Sequence, residues 1–72
     1  INADALPLLV KKCININYAS YNLVQVIELT QNDETSYIAT FDNDRIKFDV
    51  QLYNNGEHNV IKKEKKNFIA GL

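Results

Sequence analysis

Methionine is absent from this sequence, and cysteine, histidine and proline occur once each. The lone Cys13 cannot form an internal disulfide, and one thiol with one imidazole cannot supply the ligands of a structural zinc. With only two glycines, Gly56 in a turn and Gly71 in the tail, there is no glycine-rich loop to cradle a phosphate. No apolar run approaches the roughly 20 residues that span a bilayer, so no membrane-inserted helix is expected. Charge of one sign is also lacking. Eight basic residues stand against nine acidic ones, a balance that selects neither nucleic acid nor an anionic membrane. The opening "INADALP" has no methionine, which leads to the expectation of an upstream segment removed before Ile1.

These absences leave a single small domain over residues 1–72 that must hold together by its core alone. Ordering a chain of this size costs roughly 1.5 kcal/mol per residue, which core burial offsets almost evenly. Self-association, or a second copy of the domain in a longer chain, is therefore one expected source of further stability.

"DALPLLVKKCININY" reads as a helix over about 4–18. Leu6, Leu9, Val10, Cys13, Ile14 and Tyr18 form one apolar stripe, with Lys11 and Lys12 opposite. Asp4 is the expected N-cap, with Pro7 in the first turn. A sheet follows over about 22–65. "LVQVIELT" is β-branched with apolar residues on both faces: Leu23, Ile27 and Leu29 on one, Val24 and Val26 on the other. "QNDE" and "NNGEH" are turns, and "NVIKKEKKNF" starts as a short fourth strand.

Between them, "YIATFDNDRIKFDVQLY" is two alternating runs meeting at "DND". Taking Asn43-Asp44 as a two-residue turn pairs Phe41 with Ile46, Ala39 with Phe48 and Tyr37 with Val50 on one face. Asp42 then meets Arg45, Thr40 meets Lys47 and Ile38 meets Asp49 on the other. The expected fold is α+β: one N-terminal helix packed on an antiparallel three- to four-stranded sheet, in the order α-β-β-β-(β).

One helix covers one side of such a sheet. The other face carries Val24, Val26, Ile38, Lys47, Asp49 and Tyr53. Two readings compete there: a solvated antiparallel face with stray apolar residues, or a binding surface. The apolar residues of the first strand favour the second.

Catalysis finds no support. Cys13 lies on the apolar helix stripe and His58 in the turn after Gly56, so nucleophile and base are not paired. Asp42 and Asp44 flank a tight turn, where aspartate is favoured for backbone reasons. "DNDR" lacks the glycine and downstream glutamate of a calcium loop. No catalytic residue, metal ligand or cofactor is expected. The basic run "KKEKK", 62–66, is the usual guard of an open sheet edge, and a nucleic-acid patch would want interleaved aromatics.

The order of features resembles the PepSY-like domains of bacterial envelope proteins. Leu6-Pro7, Val10, Ile14 and Tyr18 match the helix, Tyr37, Ala39 and Phe41 the second strand, and Phe48, Val50, Leu52 and Asn55-Gly56 the third with its turn. The resemblance covers about residues 5–64; "YASYN" replaces the usual proline-containing turn, and "NNGEHN" is longer than usual. It implies an exported, periplasmic or secreted module whose signal peptide has been removed. In architecture it is similar to one half of the tandem β-lactamase inhibitor proteins, which bind an enzyme through an open sheet face. The expected function is a non-catalytic protein-binding, inhibitor- or sensor-like module. The alternative is a structural self-association module, a homodimer or tandem half, without an outside ligand.

Overall fold

The computed structural model describes residues 2–66. A 3-10 turn, Ala3–Ala5, precedes helix α1, Leu8–Asn17. Four strands follow: β1 Asn22–Gln31, β2 Glu34–Asp42, β3 Ile46–Tyr53 and β4 His58–Lys65. They form one antiparallel sheet in chain order, β1-β2-β3-β4, so β1 and β4 are its edges. This is the α+β architecture expected, with the fourth strand as long as the third.

The helix begins later than its apolar pattern suggests, and the proline is the reason. The residue before a proline is driven out of the helical region, and Leu6 is extended at φ −69, ψ 147. Residues 3–5 are thereby cut off as a separate turn, where Asn2 Oδ1 accepts from the Asp4 N–H at 2.9 Å. Asp4 is not the cap of α1. Pro7 is, and its carbonyl accepts the first helical bond from Lys11 N at 3.0 Å.

The three turns set the registers. Asn32 and Asp33, at φ 52 and 65, make a two-residue turn of the kind that matches strand twist, and Gln31 pairs with Glu34. The next turn is centred one residue later than Asn43-Asp44. Asn43 N donates to Ile46 O at 3.0 Å, and Asn43 Oδ1 accepts from Arg45 N and Ile46 N at 2.8 and 2.9 Å. An asparagine that satisfies two turn N–H groups stabilises the turn beginning at itself, which places Asp44 and Arg45 at the tip. Pairing therefore slides by two: Phe41 faces Phe48, Ala39 Val50, Tyr37 Leu52, Thr40 Asp49 and Asp42 Lys47. A slide of two preserves the face of every side chain. In the third turn Gly56 takes φ 90, a value disfavoured for any residue with a Cβ.

The core lies between α1 and the helix side of the sheet. Val10, Ala39, Phe41, Val50 and Leu52 are fully buried, with Leu6, Cys13, Tyr18, Val26, Tyr37 and Phe48 around them. Tyr18 stacks on Phe41 at 4.7 Å between ring centroids, and Phe41 stacks on Phe48 at 5.6 Å. Buried aromatic contacts of this kind add about 0.5–1.5 kcal/mol per pair beyond area burial. Leu9, expected on the buried stripe, is exposed beside the Gly56 turn.

Val26 corrects the face assignment of the first strand. With Asn32-Asp33 as the turn, Val26 pairs with Ala39 and lies on the helix side, 5 % exposed. Ile27 and Leu29 pair with Ile38 and Ser36 and so lie on the other side. A bulge between Leu23 and Gln25 changes the alternation. It leaves Leu23 on the helix side with Phe41, while Val24 is the extra, exposed residue.

Candidate binding surface

The sheet face away from α1 is covered by no other element among the described residues. Its side chains fall into cross-strand rows set by the registers above. Ile27, Ile38, Gln51 and Asn59 form one row, with Leu29, Ser36 and Tyr53 beside it. Gln25, Thr40, Asp49 and Lys62 form the next, followed by Asp42, Lys47 and Glu64. Apolar residues thus gather at the β1–β2 side, near Tyr53, and charges at the β3–β4 side. Ile27 is 50 % exposed and Ile38 half-buried, so the cross-strand pair presents hydrocarbon to solvent.

The polar half is internally ordered. Thr40 Oγ1 donates to Asp49 Oδ1 at 2.6 Å, a charge-assisted bond that leaves Thr40 3 % exposed on a face with no covering layer. Gln51 Nε2 donates to Ser36 Oγ at 3.0 Å. Gln25, Thr40, Lys47, Asp49, Lys62 and Glu64 enclose a shallow polar depression of about 130 Å³. In the row of Lys47 and Glu64, Asp42 Oδ2 accepts from Lys66 Nζ at 3.0 Å. Hydrogen bonds from Lys66 and then Asn22 hold the Asp42 carboxyl below the usual aspartate range, against a smaller opposing effect of desolvation.

Of the six residues expected on this surface, Ile38, Lys47, Asp49 and Tyr53 lie there together. Val24 is exposed at the bulge, and Val26 belongs to the core. Ile27 and Leu29 are the apolar residues that the sequence reading placed on the wrong side. The signal that would have found them is the two-residue Asn32-Asp33 turn, which fixes which β1 residues oppose Tyr37, Ala39 and Phe41.

On the helix side, Tyr18 joins two distant parts of the chain. Its Oη lies 2.7 Å from His58 Nδ1, and the two rings meet edge-on at 5.5 Å. His58 is the first residue of β4, paired with Leu52, and not a free loop histidine. Burial, with smaller contributions from Cys13 and Tyr21, pushes the Tyr18 phenol above its ordinary value. Cys13 is buried, and its Sγ accepts from Asn17 Nδ2 at 3.6 Å. Among the described residues no group of three or more His, Cys, Asp or Glu side chains is placed to hold a metal ion, and no helix is long and apolar enough to cross a membrane.

Comparison of the chain with protein-family models, with curated proteins and with solved structures finds no match in any of the three. The fold and its surfaces therefore define a class only: a small α+β module with one helix-covered sheet face and one open face.

Proposed function

We propose that this chain is a non-catalytic protein-binding module that engages its partner through the open sheet face. The observation that carries the reading is the exposed Ile27–Ile38 pair, with Leu29 and Tyr53 beside it, Asp49 in the next row and Lys47 in the row after. An apolar centre flanked by ordered polar groups is the composition of a recognition patch: the centre gains from desolvation and the polar flank fixes orientation. The resemblance of Leu6-Pro7, Tyr18 and the alternating strands to PepSY-like domains supports placing such a module in the bacterial envelope, in an inhibitor- or sensor-like role.

The test uses a photo-crosslinking side chain at Ile27 in the native host, followed by the Ile38→Asp variant. A partner captured from Ile27, and lost from Ile38→Asp while its circular dichroism stays native, supports the reading. Binding that survives Ile38→Asp, or is lost only on changing the exposed helix residue Leu8, would remove the open face from consideration.

A further inference from the structure

The two edges of the sheet carry opposite charge. From Asn22 to Asp42, the β1–β2 hairpin has four carboxylates, Glu28, Asp33, Glu34 and Asp42, and no lysine or arginine. At the other edge, β4 and the residue after it bring Lys62, Lys63, Lys65 and Lys66 against Glu64 alone. Lys62 is paired with Glu64 and Lys66 with Asp42. Among the described residues Lys63, Lys65, Glu28, Asp33 and Glu34 have no ion-pair partner. Both edges are long, ten and eight residues, and among the described residues each is paired with a neighbouring strand on one side only.

Lysines on an edge strand oppose pairing with a second basic edge, but they favour an acidic one. The acidic edge present on this molecule is its own β1. We propose that copies of this chain join head to tail, the β4 edge of one adding to the β1 edge of the next. Within one molecule β1 and β4 run antiparallel, because three antiparallel steps separate them, so a translated copy presents β1 antiparallel to β4. A staggered register sets residues 27–31 of one copy against 62–66 of its neighbour. Glu28 then opposes Lys65, and Thr30 opposes Lys63. These four residues all lie on the helix side of the sheet, so the stagger keeps both faces in phase. Asp33 lies in the turn just past Gln31, the residue opposite Lys62, and Glu34, paired with Gln31, lies one strand further in, about 10 Å from Lys62 across the strands and within a Debye length at moderate salt. Such contacts are heterologous and generate a chain or a ring of copies rather than a two-fold dimer. The edge contact is independent of the open-face reading.

Light scattering over a dilution series, at low and high salt, tests this with the wild-type chain and three variants. Wild type is expected to form concentration-dependent oligomers that weaken about tenfold or more at high salt, since the added contacts are exposed charge pairs. Glu28→Lys alone and Lys63→Glu/Lys65→Glu alone are expected to be monomers with native circular dichroism. Mixed together, they bring the intact basic edge of the first to the intact acidic edge of the second, and their two reversed edges are again opposite in charge, so the mixture is expected to regain concentration-dependent oligomers in which the two variants alternate. Ile38→Asp, which leaves both edges intact, is expected to associate as wild type does. The proposal is overturned by a wild-type monomer at high concentration in low salt, by association that survives both charge reversals, by a mixture that stays monomeric, or by oligomers that Ile38→Asp abolishes.

Discussion

Tyr18 Oη and His58 Nδ1 meet at 2.7 Å across forty residues of sequence, tying the C-terminal end of α1 to the first residue of β4. The tyrosine ring stacks on Phe41 and packs against Phe48, while its hydroxyl reaches past them to the edge strand. The edge strand is exposed at every position, His58 included, and among the described residues this is the one side-chain hydrogen bond that ties it to the end of the helix. Tyr18 therefore links the packing of the central strands to the placement of the edge on which the proposed head-to-tail contact depends.

Replacing Tyr18 with Phe keeps the ring stack and removes the hydroxyl. A loss of about 0.5–1.5 kcal/mol in denaturant-derived stability is expected, with most of it absent when His58→Ala is already in place. The same variant has a signature at high pH. The folded phenol is held above its ordinary value of 10.0, so the neutral form is favoured by folding. Its contribution is fully present below about pH 10 and is lost as pH rises through the raised folded value. The alkaline loss of stability should be shallower in Tyr18→Phe than in wild type. Parallel alkaline profiles would show that Tyr18 does not titrate differently in the two states.

The face of β1 is decided by two adjacent residues. Val26→Ala removes hydrocarbon from a buried site opposite Ala39 and is expected to cost about 2 kcal/mol. Ile27→Ala, on the open face, is expected to stay within about 1 kcal/mol. Urea midpoints that reverse this order would return Val26 to the open face.

That assignment shows where sequence reasoning was sufficient and where it stopped. The alternation of Tyr37, Ala39 and Phe41, and of Phe48, Val50 and Leu52, identifies the helix-facing side of β2 and β3, because period two survives a slide of two residues. The actual register was harder to read. "DND" offers more than one turn centre, and the choice depends on Asn43 Oδ1 accepting two N–H groups, a matter of side-chain geometry rather than pattern. β1 is ambiguous because hydrophobic residues occur on both its faces and a bulge near Val24 shifts its phase. Combining the Asn32-Asp33 turn with the alternation of β2 would have placed Val26 opposite Ala39 and Ile27 opposite Ile38. The Tyr18–His58 contact joins residues forty apart and leaves no local signal.

The Asn32-Asp33 turn holds two non-glycine residues at positive φ. A Cβ is disfavoured there, and Asn-Gly is the preferred pair for this turn. Asp33→Gly is expected to raise stability by a few tenths to about 1 kcal/mol without altering the register, as judged by thermal unfolding and by the chemical shifts of Ile27 and Ile38. A destabilised Asp33→Gly would mean that the carboxylate contributes more to the folded state than the backbone strain costs.

Asp42 gives the acid-side counterpart of Tyr18. Its carboxyl is held below the ordinary value of 3.8 chiefly by the hydrogen bond from Lys66, so the ionised form is favoured by folding. The stabilisation is present above the unfolded carboxylate range and is lost as pH falls through the lower folded value. Asp42→Asn should therefore be less stable than wild type near neutrality, with the difference closing below about pH 4. Lys66→Ala should remove most of that pH dependence while leaving Asp42 ionisable, because the principal donor is gone. The pair is exposed, so added salt should narrow the gap between wild type and Asp42→Asn. A gap that persists unchanged in high salt and at low pH would assign the role of Asp42 to its position next to the Asn43 turn rather than to its charge.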